Sequence, residues 1–231
     1  MLSDRFELEH IKCGRDKMFT LMGEHNLLVP RRRAPHKTTN SNHNFKKYPN
    51  IFKDEIVDRP NQVWASDITY IRTYDGFAYL SLITDVFSRK IVGYFLSRSL
   101  SRLGPIQALK NALKAEHPKD GLLHHSDRGL QYCSRDYVET LGPHHRISMT
   151  ENGDPYENAL AERVNGILKD EYCLSETFIS FKDALAQIKD SINIYNTRRP
   201  HLSCGMQTPE QTHSMGTHPG PLWVNYYKKA G

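Results

Sequence analysis

The sequence predicts an α/β fold built on a sheet of mixed strand direction, and three observations carry that reading. Residues 62–73 alternate and are rich in Val, Ile, Thr and Tyr, the pattern of a half-buried strand. Asp75-Gly76 then gives a hairpin signal into a second apolar run, residues 77–86, which sets those two strands antiparallel. Beyond a third strand the chain changes to helices alternating with short strands, which adds crossover connections to the hairpins.

Taken in order, residues 1–28 read as a helical fragment, with Met18, Phe19, Met22 and Leu27 apolar among charges and too little apolar surface to fold alone. From His25 to Lys53 there is no acidic residue, while Arg31, Arg32, Arg33, Lys37, Lys46, Lys47 and Lys53 are basic. That span reads as an extended basic linker suited to a phosphate backbone, with a solvated arm as the plainer alternative. The main domain opens near Asn61. The second strand, FAYLSLITDV, is apolar almost throughout, so both its faces should be covered. Ser88-Arg89-Lys90 turns into the third strand, IVGYFLS. After a Gly-Pro break, Ile106, Leu109, Ala112 and Leu113 mark an amphipathic helix; a short strand (121–126), a helix (about 134–141) and the strand RISM follow.

The best-marked helix comes next. Asp154 can cap it, Pro155 suits its first position, and Glu157 completes a capping box. Leu160, Val164, Ile167 and Leu168 form its buried stripe. Glu162 lies about 200° round the wheel from Leu160, and Asn158, Asn165, Gly166 and Lys169 share its side, which in an ordinary amphipathic helix is a solvated face. A last helix covers about 180–196, with Phe181, Leu185, Ile188, Ile192 and Tyr195 inward, before a tail ending in a basic aromatic cluster. The expected division is a helical segment (1–28), a basic linker (29–60), a main α/β domain (61–197) and a basic C-terminal extension (198–231).

A length of 231 residues suits one large domain with appendages, and a net charge of +5 with pI near 8.9 permits a polyanionic partner. Cys13, Cys133, Cys173 and Cys204 are scattered without a CxxC pair, which argues against a disulfide framework or zinc ribbon and fits a reducing cytoplasm. No apolar run approaches the ~20 residues of a membrane span and the N-terminus lacks a signal-peptide core, so a soluble intracellular protein is expected.

Three separated carboxylates stand out for chemistry. Asp67 falls mid-strand between apolar neighbours, where a charge is unusual without a partner or a metal, although an edge-strand Asp facing water would read the same. Asp127 follows LLHHS where a short strand runs into a loop, the place where open α/β sheets carry site residues, or where a Ser-Asp turn cap would sit. Glu162 supplies the third, from the helix. Such an oxygen set suits magnesium, and two ions ~4 Å apart can promote in-line displacement at phosphorus. His124 and His125 beside Asp127 are alternative candidates for a base.

WASDITYI, LITDVFSRKIVGY, HHSDRGLQY, DPYENALAE, ILKDEY and YNTRRPH together resemble the catalytic core of DDE transposases. The likeness is to the second-frame proteins of bacterial insertion elements, whose cores are similar to retroviral integrases, and it covers about residues 15–212 in family order. It implies a ribonuclease-H-like mixed sheet flanked by helices and a polynucleotidyl transferase that cuts and joins DNA. Matched residue by residue, it places Asp67, Asp127 and Glu162 as the metal-binding acids, the last two 35 apart, holding two Mg2+ (or Mn2+) ions. Glu151, Glu157 and Glu171 fit the spacing less well. Lys169 matches the family's Leu-Lys pair and would reach DNA; Asn158, Arg198, Arg199, His201 and the linker's Arg31, Arg32 and Arg33 are further expected DNA contacts. The implied partners are double-stranded DNA, as element ends and target, and further copies of the chain, in a bacterial cytoplasm and without a membrane. Two departures stand: GRDKMFTLMGEHNLLV resembles only the last part of the family's helix-turn-helix region, and DPYEN replaces the commoner NPYDN. A stand-alone nuclease of the same fold, or an inactive DNA-binding remnant, are the alternative functions.

Overall fold

The computed structural model describes residues 13–28, 45–151 and 155–217. The Arg31–Arg33 run, the Asp154 cap and the aromatic tail expected from the sequence lie outside these residues. The central strand is β1 (Val63–Thr73), and β2 (Gly76–Asp85) pairs antiparallel along it from Trp64↔Asp85 to Thr73↔Gly76. Gly76 closes the intervening turn at φ +117°, a backbone region where a side chain would be strained. β3 (Ile91–Ser97) adds antiparallel to β2, while β4 (Leu123–Ser126) and β5 (Arg146–Met149) add in parallel on the other side. The order is β3-β2-β1-β4-β5, and the two-residue β6 (Thr177–Phe178) joins the far end of β1. The mixed sheet expected from the sequence is therefore the one observed.

The helices are α1 (Arg15–Glu24), α2 (Leu103–Glu116), α3 (Arg135–Leu141), α4 (Ala159–Glu171), α5 (Phe181–Arg198) and α6 (Pro209–Met215). Strand alternation sorts them into two layers. Ile71, Leu80, Leu82 and Leu96 pack on Val164, Ile167 and Leu168 of α4 and Ala184, Ile188, Ile192 and Tyr195 of α5. On the opposite face Trp64, Ile83 and Val92 pack on Ile106, Leu109 and Ala112 of α2 and Tyr137 and Leu141 of α3. The apolar second strand thus has both faces covered, each large buried side chain contributing roughly 1.5–3 kcal/mol. Gly93 allows β3 and α2 to touch, since a Cβ there would stand 2.6 Å from the Ala108 carbonyl oxygen. Among the described residues no helix is long and apolar enough to cross a membrane.

Local expectations need three corrections. Gly104-Pro105 is no break: α2 starts at Leu103, and a proline in the first turn lacks an N–H that would have had no helical partner. The α-helix does not start at Pro155; Pro155–Asn158 is a 3-10 turn, the helix begins at Ala159, and Glu157 accepts hydrogen bonds from Asn50 Nδ2 (3.1 Å) and the Glu151 N–H (2.7 Å). In α5 the buried position belongs to Ala184, while Leu185 is 42% exposed.

The C-terminal α6 carries a capping box of its own, Thr208 with Gln211, and is latched to the sheet by a buried charge cluster. His213 Nε2 donates to Glu116 (2.8 Å), its Nδ1 lies 2.9 Å from Ser88 Oγ, and Ser88 Oγ donates to Asp85 (2.6 Å). Lys90 Nζ bridges Glu116 (3.0 Å) and Glu210 (3.1 Å). Burial alone would depress the imidazole, but its bonds to Asp85 and Glu116 outweigh that and push it up to about 9 from 6.5. Because the folded value lies above the unfolded one, the latch contributes fully below about pH 6.5 and is lost as pH rises through about 9. Thermal melts from pH 6 to 10 should show this loss, ~1–3 kcal/mol, in the wild type. His213→Gln should be less stable at pH 6 and nearly flat across the range; an equal slope in both proteins would place the titration elsewhere.

Candidate active site

Parallel pairing of β1 with β4 matches Val63 to Leu123, Trp64 to His124 and Ala65 to His125. Each pair differs by sixty in sequence, so the same offset carries Asp67 and Asp127 out side by side where β4 ends. Asp67 shares the parity of Ala65 and Ile71 and so faces α4. Its Oδ2 accepts from Asn165 Nδ2 (2.7 Å) and its Oδ1 from the Ile68 N–H (2.8 Å). Asp127 Oδ1 accepts from the Gly129 N–H (2.9 Å), which fixes the carboxylate at the strand's exit. Glu162 sits one turn before Asn165 on α4, beside Ala161, which is buried against Ala65 and Leu123. The helix face expected to be solvated is in part inward, since Asn165 and Asn158 are 5% and 7% exposed.

The electrostatics place the three acids within reach of one another. Burial and then the Asp127 charge push Asp67 up to about 7; Asn165 and the Ile68 N–H oppose the rise and Glu162 adds to it. Burial and Asp127 likewise raise Glu162. Among the described residues no three His, Cys, Asp or Glu side chains form a ready-made cation cage. The acids are therefore gathered and mutually repelling without yet being wrapped round a point.

Rival residues are committed to other contacts. Glu157 is held by Asn50 and the Glu151 N–H, Glu151 accepts the Asn50 N–H (3.0 Å), and Glu171 receives Arg199 in a two-pronged pair (2.6 and 2.7 Å). His124 is buried, with Nε2 2.7 Å from Ser66 Oγ and 2.8 Å from the Tyr137 hydroxyl, and burial followed by the neighbouring His125 lowers it to about 3. His125 is buried too, tied to Ser148 Oγ (2.9 Å) and the Glu157 carbonyl (2.8 Å). Both imidazoles bind strands together and are badly placed as bases.

Of the residues expected to meet DNA, Arg198 is exposed and Lys169 holds its Nζ 4.1 Å over the Tyr70 ring. Asn158 instead donates inward to the Ser66 carbonyl (3.1 Å). Arg199 is only 7% exposed and committed to Glu171, and His201, 8% exposed, lies 3.1 Å from Arg199 and is lowered to about 3 by burial and that charge. These three serve the fold where they stand. Sequence reasoning also missed a strap: residues 45–60, expected to be linker, run against β5 and the loop before α4. Phe52 N–H donates to Ser148 Oγ (3.1 Å), Met149 N–H to the Pro49 carbonyl (3.4 Å), and Arg146 pairs with Glu55 (2.8 Å). The change from basic residues to Asp54 and Glu55 was the signal available.

A mixed sheet with helices on both faces and acids where two adjacent parallel strands meet a helix defines the ribonuclease-H-like class of α/β cores. Models of the integrase core domain match residues 57–155 and 144–209. The chain is 37% identical over 214 residues to a 31 kDa protein of insertion element IS600 from Shigella sonnei, covering 89% of this chain and 78% of that one. It is 32% identical to the transposase for insertion sequence IS629 of Shigella sonnei, over 83% of this chain and 64% of the relative. To transposase InsF for IS3A of Escherichia coli (strain K12) it is 38% identical, over 69% of this chain and 56% of the relative. This chain belongs to the integrase core domain family, among its insertion-element proteins. Solved structures agree on the fold: the HTLV-2 integrase catalytic core in complex with magnesium superposes with TM-score 0.53 at 20% identity, over 67% of this chain and 97% of that one. The simian T-cell lymphotropic virus intasome gives 0.60 at 18% identity, over 99% of this chain and 80% of that one.

Without added cation the acids oppose folding. Asp67→Asn keeps the shape and removes one of the repelling charges; its Oδ1 still accepts the Ile68 N–H, and its Nδ2 donates to Asn165 once that amide turns its oxygen inward. In EDTA at pH 8 it should raise stability by about 1–3 kcal/mol, a rise of roughly 3–10 °C in Tm. An unchanged or lower Tm would mean that Asp67 is not under repulsion.

Proposed function

We propose that this chain is a transposase that cuts DNA at insertion-element ends and joins the ends to a target, with Asp67, Asp127 and Glu162 as its metal-holding catalytic acids. The observation that supports the reading is the register of β1 on β4, whose sixty-residue offset leads on to Asp67 and Asp127, together with the charges that these and Glu162 of α4 impose on one another. The donor set fits magnesium or manganese, two ions in the family's manner: hard oxygen ligands only, gathered at a cost in repulsion that a cation would remove. Such ions, when bound, activate the attacking oxygen and stabilise the leaving one.

The chain's own residues then position and balance charge. Asn165 fixes the Asp67 carboxylate against rotation, and the Gly129 N–H does the same for Asp127. Attack by water would cut the strand and attack by a DNA 3′-hydroxyl would join it, with no enzyme-linked intermediate. Lys169 on α4 and Arg198 at the end of α5 suit phosphate contacts that position rather than read DNA. Arg31, Arg32 and Arg33 extend that footprint from the linker. The domain division at residues 28, 60 and 197 is retained, with the strap of residues 45–60 counted against the core. Relatives acting on DNA and the need to bring two ends together support a homo-oligomer on DNA, in the cytoplasm.

Asp67→Asn, Asp127→Asn and Glu162→Gln should each cut strand cleavage by at least about a hundredfold, several kcal/mol of lost transition-state stabilisation, with no loss of fold. The assay uses pre-cut element ends, a target plasmid and Mg2+, with circular dichroism on each variant. Joined products define the transposase; nicks alone would make it a nuclease, and full activity in any variant would move the site. Glu157→Gln should retain catalysis, since both its oxygens already hold the loop.

A further inference from the structure

The face of the sheet that bears α2 is covered at one end only. Gly93 lies against Ala108 and Ala112, and Gly104 against Ser81 and Ser97, so α2 runs the length of β3 and reaches along β2 as far as Ser81. Toward the β1–β2 hairpin the same face carries Tyr70, Arg72, Phe77 and Tyr79, because Tyr70 pairs with Tyr79 and Arg72 with Phe77. Phe77 is 58% exposed, Arg72 is exposed, and the two tyrosines are half-buried. Tyr70 and Phe77 meet edge to face, centroids 5.7 Å apart at 88°, and Lys169 Nζ stands 4.1 Å over the Tyr70 ring. The hairpin's own carboxylate, Asp75, lies at the turn and outside this group.

We propose that this aromatic face is a stacking platform for unpaired DNA bases next to the cut site. The inference rests on the DNA reading above and adds the form of the substrate. Charge complementarity selects the occupant: a nucleotide offers a π-face to the rings and a phosphate to Arg72 and Lys169 beside them. Paired bases inside a duplex have no free face, so the platform takes bases that are flipped or overhanging. Its position agrees. Tyr70 is three residues from Asp67 along β1, ~10 Å at strand rise and on the opposite face, and Lys169 of α4 reaches it round the edge of β1 beyond the β4 pairing. Lys169 is seven residues from Glu162 on α4, ~10 Å at helical rise. A strand whose phosphate lies at the acids reaches the platform within a few nucleotides.

The test uses the full chain and two duplexes of one sequence, one blunt and one with a three-nucleotide 5′ overhang carrying 2-aminopurine. Wild type should quench the probe and prefer the overhang duplex. Phe77→Ala and Tyr70→Leu should lose the quenching and weaken overhang binding roughly 5- to 100-fold, with blunt-duplex affinity unchanged within about twofold. Phe77→Trp should restore both signals. Phe77 is exposed, so its variants carry the test even if Tyr70→Leu melts early. Equal overhang affinity and quenching in wild type and Phe77→Ala overturn the platform while leaving the transposase reading intact. The platform is overturned in the same way if Phe77→Ala instead dissociates a dimer in sedimentation without changing overhang affinity. Binding of neither duplex by wild type overturns both.

Discussion

Two like charges held next to each other by backbone pairing are the constraint on which the rest of this molecule depends. The sixty-residue offset between β1 and β4 is set by hydrogen bonds of a parallel ladder, and slipping it by one residue would turn a whole strand's side chains to the other face. That ladder ends at Ala65 and His125, two residues before the acids, and leads Asp67 and Asp127 out at the same offset whatever their charges prefer. Burial and proximity raise Asp67 toward about 7, a measure of how far the fold works against its own site. The surrounding structure has to supply the difference, and it does so in two layers of close-packed apolar side chains with Trp64 and Tyr195 fully buried.

The third acid is placed less rigidly. Glu162 is exposed and follows the turn Pro155–Asn158, so its approach depends on what holds that turn. The strap does much of this. Asn50 binds both Glu151 and Glu157, and Phe52 lies 4.9 Å from the His125 ring, so the segment entering the core touches both sides of the loop leading to α4. At the other end of the chain, α6 is tied by His213, Glu116 and Lys90 to the turn after β2. Segments flanking the core thus brace the elements that present the acids.

Much of this was legible beforehand. The alternation in β1, the Asp75-Gly76 turn and the 3.6-residue stripe on α4 report burial that is local in sequence, and each element formed within a few residues of its expected place. Residue type and position picked out Asp67, Asp127 and Glu162, which the fold brings close enough to act on one another's charge. What could not be read was which polar residues face inward. Arg199 and Asn158 look like surface contacts because their partners, Glu171 and the Ser66 carbonyl, are set by packing rather than by neighbouring sequence, and His201 follows Arg199 inward. The strap was missed for the same reason: its hydrogen bonds span about a hundred residues, from Asn50 to Glu151 and Phe52 to Ser148.

The central claim, that the three acids form one cation site, is tested most directly by locating the ion. Crystals of the full chain soaked in manganese and measured at the manganese absorption edge should give an anomalous peak contacted by Asp67 and Asp127, with Glu162 turned toward it. The peak should vanish in Asp67→Asn/Asp127→Asn crystals treated identically. Strong peaks elsewhere on the surface, with density between Asp67 and Asp127 empty at saturating manganese, would contradict the account.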